Sequence, residues 1–220
     1  MHQYISKLSK ADLFNGLSSS DLENLLDLNY CILSRYPRNT VIIQEEDLCR
    51  SIGFVLEGSL AVQQATSEGN VVTVKILEKN NSFGEALLFS SNPRYKFSLT
   101  SSSDSTIFYV PFDQTEKLLK ASDVFRTNYI AFLSNRISEF KNTIKILAHK
   151  DVRTRLLIYL AGESRKAGSP VFELPHSKTE IADILGVARP SVSRELQRMQ
   201  QDDLIRFEHR HMTILKPELF

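Results

Sequence analysis

Two arginines five residues apart, Arg189 and Arg194, carry the most readable chemistry in this chain. A guanidinium is a planar fork of donors, and it matches the O6 and N7 acceptors of guanine in the DNA major groove. Taken singly, a surface arginine is more often a solvated charge. These two stand in Ser177-Lys-Thr-Glu-Ile-Ala-Asp-Ile-Leu-Gly-Val-Ala-Arg-Pro-Ser-Val-Ser-Arg-Glu-Leu196. Ser177 with Glu180 forms a capping box that starts a helix. Ile181, Ala182 and Leu185 are spaced to face inward, and Ala182 is small where two helices must cross. Gly186 stops that helix and supplies the turn, with Val187 plugging the core. Pro190 suits the first turn of a second helix. Val192 and Leu196 bury, which leaves Ser191, Ser193, Arg194, Gln197 and Arg198 on or near the exposed side. The layout is a helix-turn-helix whose recognition helix spans about 189–199. Arg189 and Arg194 are expected to read bases, and Ser193 to touch a base edge or a phosphate. Ser177, Lys178 and Thr179, at a helix N-terminus, are expected to position phosphates.

A second cluster lies in Asn81-Ser-Phe-Gly-Glu-Ala-Leu-Leu-Phe-Ser-Ser-Asn-Pro93. Gly84 and Glu85 open a short apolar helical turn, Ala86 to Phe89. A glycine there permits close approach of a ligand, and the free N–H groups of the turn suit an anion. A plain corner that caps a barrel accounts for the same residues, and both readings stand. Cys31 and Cys49 are too few for a disulfide framework or a four-thiolate cluster and are expected to be reduced and structural. His209 and His211 have no cysteine nearby, so a turn near DNA phosphate is the simpler account than a metal site. No Ser/His/Asp order, Walker loop or metal triad stands out, and Gly53, Gly58 and Gly69 read as turn residues. No enzyme, catalytic residue, metal or cofactor is expected.

These residues need elements to hold them. Residues 39–110 alternate short β-rich segments with polar turns: Thr40–Ile43, Ser51–Glu57, Leu60–Gln64, Val71–Leu77 after the turn Ser67–Asn70, Lys96–Thr100 and Ser105–Val110. Strands at this spacing suggest a sandwich or barrel. Ahead of them a helix with Leu13, Phe14, Leu17, Leu22, Leu25 and Leu26 on its apolar face is predicted, capped by Ser20 with Glu23. Asp113–Lys120 forms a short helix. From Asp123 to about His149 the pattern is one long helix, in which Ile130, Leu133, Ile137, Phe140, Ile144 and Leu147 recur at alternating spacings of three and four. This heptad stripe predicts a helix pair in a homodimer, with a polar flank from Arg136 to Lys145. Phe125, Tyr129 and Phe132 lie beside it, toward the barrel. A further helix runs from Asp151 to Ala161 and stops at Gly162. Val171–Leu174 is a short strand. Phe207 and Met212–Leu215 form a hairpin around His209-Arg210, the wing of a winged helix, which brings Arg210 toward DNA. The expected division is 1–122, 123–149 and 150–220.

At 220 residues the chain can bury a real core, and 42% hydrophobic content argues against disorder. No apolar run approaches a membrane span, and the first residues lack an apolar signal core, so a cytoplasmic protein is expected. Residues 1–148 carry 15 basic against 16 acidic side chains, and residues 149–220 carry 12 against 10. A whole-chain charge argument for nucleic acid therefore fails, and any DNA footprint must be local and doubled by a dimer.

The order of barrel, long helix and winged helix-turn-helix resembles the cyclic-AMP receptor protein and FNR superfamily of bacterial transcription regulators. The resemblance runs from about Leu13 to Leu215 and is strongest in Ser177–Ile205 and Asn80–Phe89. It implies an α+β fold: a cyclic-nucleotide-binding-like β-roll (a double-stranded β-helix), a long dimerisation helix and a C-terminal winged helix-turn-helix. It also implies double-stranded promoter DNA, a second copy, RNA polymerase and a small-molecule effector as partners. The family's first recognition arginine matches Arg189, its following hydroxyl Ser191, the small residue before the second arginine Ser193, and that second arginine Arg194. Its glutamate, an acceptor for cytosine N4, matches Pro190, so the half-site should differ. In the nucleotide pocket Gly84-Glu85 is kept, but the phosphate-holding Arg-Ser pair falls on Tyr95-Lys96, with Arg94 just before. Lys96 is a point charge and no fork. Free cyclic AMP is therefore not the expected effector. Either another small molecule uses Gly84, Glu85, Arg94, Tyr95 and Lys96, or the pocket is closed and DNA binding is constitutive. Oxygen sensing needs four cysteines, and haem sensing needs axial ligands where His2 is the only histidine before His149. The rival functions are a cyclic-nucleotide-responsive activator and a signalling module that grips a protein.

Overall fold

The computed structural model describes residues 4–65 and 71–217. Two positions named above, His2 and the turn Ser67–Asn70, lie outside them. The chain divides into two compact units, Met1–Asn135 and Arg136–Phe220. No helix among the described residues is long and apolar enough to cross a membrane.

The first unit opens with α1 (Ile5–Leu8), a 3-10 turn (Asp12–Phe14) and α2 (Ser19–Leu25). The strands follow: β1 (Ile32–Tyr36), β2 (Val41–Ile43), β3 (Ser51–Glu57), β4 (Leu60–Ala65), β5 (Val71–Leu77), β6 (Ser82–Phe83), then α3 (Glu85–Leu88), β7 (Ser98–Ser101) and β8 (Ser105–Pro111). They form two four-stranded antiparallel sheets, ordered β1-β8-β3-β6 and β2-β7-β4-β5. α4 (Phe112–Ala121) and the long α5 (Asp123–Leu147) follow. Successive side chains of a strand point to opposite faces, and the unbroken run Ile52–Leu56 of β3 is buried on both faces of the first sheet. From one of them Phe54 meets Phe14 at 5.1 Å between ring centroids, and Phe14 meets Phe125 of α5 at 5.3 Å. The N-terminal helices and the start of α5 are thus cemented to the sheet by aromatic packing.

Three local expectations change. α2 is capped by Ser18 and Asp21, not by Ser20 and Glu23: Ser18 Oγ accepts from the Asp21 N–H at 3.1 Å, and the Ser18 N–H donates to Asp21 Oδ2 at 2.8 Å. In a run of three serines any one could cap. Starting at Ser18 places Leu17 and Leu22 at the two positions of a hydrophobic staple. β1 and β6 are additional strands. β1 reads Ile-Leu-Ser-Arg-Tyr, an edge strand whose alternation is masked by polar residues on both faces. The third change is in the second unit, where α6 (Val152–Ala167) passes through Gly162 and ends at Gly168, whose φ is +65°.

In the second unit α6 is followed by β9 (Val171–Glu173), α7 (Lys178–Leu185), α8 (Arg189–Gln201), β10 (Ile205–Glu208) and β11 (His211–Ile214). The strands form a small antiparallel sheet ordered β10-β11-β9. Leu156, Leu160, Ile181, Leu185, Val192, Leu196, Met199 and Met212 make one core with Ile146 of α5. The two glycines act oppositely. Gly162 sits in a helix interior with nothing within 4 Å of a Cβ, so glycine there only loses helix propensity. Gly186 takes φ +62°, and a Cβ would lie 3.1 Å from Leu147 Cδ2. Gly162→Ala is therefore expected to raise unfolding free energy by about 0.5–1 kcal/mol, and Gly186→Ala to lower it by about 1–2 kcal/mol. Urea titration followed by circular dichroism checks both. The same sign for both would refute this account of the turn.

Candidate functional site

α7 and α8 form the helix-turn-helix that the spacing predicted. Ser177 caps α7: its Oγ accepts from the Glu180 N–H at 3.3 Å, and its own N–H donates to Glu180 Oε2 at 2.7 Å. Hydrogen bonds to the carboxyl from the Ser177 N–H, and secondarily from the Ser177 side chain, hold Glu180 below the usual carboxylate range. The Ser177 N–H is thus spent inside the box. Thr179 is exposed, and Lys178 Nζ lies 4.9 Å from the centre of the Phe207 ring. That cation–π contact ties the start of α7 to the wing strand β10.

α8 begins after Ala188 with Pro190 in its first turn, buries Val192, Leu196 and Met199, and turns its other face outward. Arg189, Arg194, Gln197 and Arg198 are exposed, and Ser191 and Ser193 are half-buried. Arg194 Nε donates to the Pro190 carbonyl at 3.3 Å, a bond that leaves its two terminal amino groups for other acceptors. Arg198 differs. Its Nη1 lies 3.5 Å from Glu195 Oε2, and Arg153 Nη1 approaches Glu195 Oε1 at 3.6 Å. Glu195 is only 8% exposed, and burying a carboxylate requires such partners. Sequence spacing missed this role, because Arg153 comes from another helix. Arg153 also pairs with Asp202. Arg210 is exposed at the wing turn, next to His209 at φ +54°. His176 Nδ1 lies 2.9 Å from the Tyr159 hydroxyl. Among the described residues no group of His, Cys, Asp and Glu could hold a metal ion.

In the first unit the five residues expected to form an effector pocket separate into two groups. Gly84, Glu85 and Tyr95 are buried together. Gly84 takes φ +93°, and a Cβ there would lie 2.8 Å from the Ser51 carbonyl oxygen, 3.0 Å from Tyr95 Oη and 3.1 Å from Cys49 Sγ. Tyr95 therefore fills the space beside the glycine, and its ring stands edge-on to Phe97 at 5.5 Å. Burial pushes the Tyr95 phenol far above its ordinary range and also raises the Cys49 thiol. The Cys31 thiol is pushed up to about 11, chiefly by burial and further by Asp27. Both cysteines stay protonated at neutral pH, in line with structural roles. The Glu85 carbonyl accepts from the Tyr129 hydroxyl of α5 at 2.7 Å.

Arg94 and Lys96 turn elsewhere. Arg94 Nη1 donates to the Glu46 carbonyl at 2.7 Å, and Lys96 Nζ pairs with Glu46 Oε1 at 2.6 Å. Of the expected effector residues Gly84, Glu85, Arg94, Tyr95 and Lys96, the two cations are thus engaged by Glu46. Both cations find Glu46, some fifty residues away in the chain, across the Leu48–Arg94 bridge.

Along α5, Phe125 and Tyr129 are buried in the first unit and Ile146 in the core of the second. Ile130, Ile137, Phe140, Ile144 and Leu147 are exposed, and Leu133 is half-buried.

Residues 33–122 match the family model of the cyclic nucleotide-binding domain, and residues 154–219 match that of the Crp-like helix-turn-helix domain. The global nitrogen regulator of Nostoc sp. is 26% identical over 192 residues, which span 84% of this chain and 86% of that protein. The cyclic AMP receptor protein of Thermus thermophilus is 24% identical over 194 residues, 88% of each. The crystal structure of the Thermus thermophilus catabolite activator protein matches 95% of this chain and 96% of its own with a TM-score of 0.57 at 21% identity, a likeness of fold.

Proposed function

This chain belongs to the Crp/FNR-type transcription regulators, a cyclic nucleotide-binding domain followed by a Crp-like helix-turn-helix, and we propose that it reads a near-palindromic promoter site as a homodimer without cyclic AMP. The members of this family are regulators and not enzymes. The observation that carries the proposal is that α8 leaves both arginines, Arg189 and Arg194, exposed, with the half-buried Ser191 and Ser193 between them in the chain. Arg189 and Arg194 read guanines, Ser193 meets a base edge or phosphate, and Thr179, Lys178, Ser177 and Arg210 position the backbone. Arg198 contributes charge while holding Glu195 in place.

The stripe Ile130, Leu133, Ile137, Phe140, Ile144 and Leu147 pairs two copies, so that residues 1–122 act as sensor, 123–149 as dimer helix and 150–220 as DNA reader. Two-fold symmetry then demands half-sites about one helical turn apart. Such a protein works in the cytoplasm and meets RNA polymerase on the promoter. Selection from random double-stranded DNA tests the reading: enrichment of an inverted repeat supports it, and enrichment of no motif rejects it.

In the cassette of Gly84, Glu85 and Tyr95 the space beside the glycine is filled, and this bears on control. A cyclic phosphate beside Gly84 would meet the Tyr95 hydroxyl where the family keeps a forked cation, and charged oxygens without such donors are costly to bury. Calorimetric titration with cyclic AMP and cyclic GMP is expected to show no binding up to about 1 mM, an affinity worth only about 4 kcal/mol. Micromolar binding of either would contradict the closure.

A further inference from the structure

The first unit holds a concavity whose lining includes neither Gly84 nor Glu85. It is a cleft of about 630 Å³ opening between β1 and β2, one edge strand from each sheet. That volume lies in the range of small-molecule sites, which combine apolar walls with a few convergent polar groups. Tyr36 and Tyr109 line it, their hydroxyls hydrogen-bonded at 3.1 Å, and Ile42 and Ile43 supply apolar wall. Arg50 and Arg94 stand on the same lining. Arg94 spends one N–H on the Glu46 carbonyl. Among the described residues the Arg50 guanidinium is engaged by no hydrogen bond or ion pair, so the cleft has a cation to spare.

The lining also carries Glu46 and Asp47, so its charged side chains balance. The Glu46 carboxylate is taken by Lys96, and Asp47 Oδ2 accepts from the Gln44 N–H at 2.8 Å. A balanced lining with one spare fork suits a single negative charge and penalises a polyphosphate. Tyrosine faces and isoleucine side chains suit a flat apolar body. Tyr95 also lines the cleft, and its hydroxyl sits against Gly84 and Cys49. The next residue of the cassette, Glu85, is bonded through its carbonyl to Tyr129 of α5.

We propose that this cleft is an effector site for a flat organic monoanion, an aromatic carboxylate, and that Tyr95 transmits its occupancy to the cassette and to α5. The ring lies against Tyr36 and Tyr109, and the carboxylate takes the forked donors of Arg50 with those left on Arg94. Only the consequence for transcription depends on the protein being a DNA-binding regulator; the binding and its relay within the first unit do not.

The test uses the full chain without DNA. Benzoate, 4-hydroxybenzoate, phenylacetate and indole-3-acetate are titrated by NMR, with acetate and benzamide as probes that lack the ring or the charge. At least one aryl carboxylate is expected to bind below about 1 mM, with acetate and benzamide at least about tenfold weaker. Arg50→Gln, an exposed change that leaves the fold intact by circular dichroism, should weaken binding at least about tenfold. No aryl carboxylate binding below 1 mM, or unchanged affinity in Arg50→Gln, overturns the site. Hydrogen exchange reads the relay. Binding should change protection at residues 84–88 and 129, and Tyr95→Phe should keep the affinity within about twofold while losing that change. Unaltered exchange in the unsubstituted protein refutes the relay. Loss of DNA specificity in a separate experiment would leave the titration result standing.

Discussion

The double substitution Ile137→Glu, Phe140→Glu is expected to leave a folded chain that is monomeric at tens of micromolar and binds the selected palindrome at least about a hundredfold more weakly. Both side chains are already exposed within one chain, at 59% and 68%, so folding loses little. Association is where they matter. Covering a large apolar side chain contributes about 1.5–3 kcal/mol when burial is complete, and each substitution counts twice in a symmetric pair. Four glutamates brought together along one seam would add repulsion. Without the partner, one recognition helix must hold its half-site alone, and the energy of the second half is lost. Light scattering gives the mass and fluorescence anisotropy the affinity. A variant that remains dimeric would move the interface off this stripe.

Arg194→Ala should lower affinity for the selected site by about 1–3 kcal/mol per contact, with a much smaller effect on random DNA. Arg194→Lys should recover only part of the loss, because an ammonium keeps the charge and gives up the fork. Arg198→Ala should behave differently, lowering specific and random binding alike and lowering stability by releasing one partner of the buried Glu195. Equal losses on both DNAs for Arg194→Ala would make Arg194 a phosphate contact and leave Arg189 as the base reader.

How much was legible beforehand follows the range of the interactions involved. The Ser177–Glu180 box, the stop at Gly186, the proline in the first turn of α8 and the buried Val192 and Leu196 depend on bonds and backbone angles within four residues. Each could be read from the local string. The heptad stripe was legible for the same reason, since helical periodicity alone puts Ile137, Phe140 and Ile144 on one side. Even locally, equivalent choices defeated the reading. Three successive serines offered three caps for α2. Gly162 resembled a helix stop, but only Gly168 takes the left-handed angle that a stop requires.

The absence of the family's Arg-Ser pair at Tyr95-Lys96 was visible in the sequence, and it is the ground for proposing that a cyclic phosphate would lack its usual fork here. Sequence also determined where α7 and α8 begin, that Arg194 stays off the buried face of α8, and which face of α5 stays apolar. Tertiary structure decided that Tyr95 fills the space beside Gly84, that Arg94 and Lys96 turn to Glu46, that Glu195 is buried between Arg153 and Arg198, and that a cleft opens between β1 and β2. In each of these the deciding partner comes from a different element, brought close by sheet pairing or helix packing. A side chain's direction and charge state there depend on neighbours that no local spacing encodes, and so they become defined only when the whole core has closed.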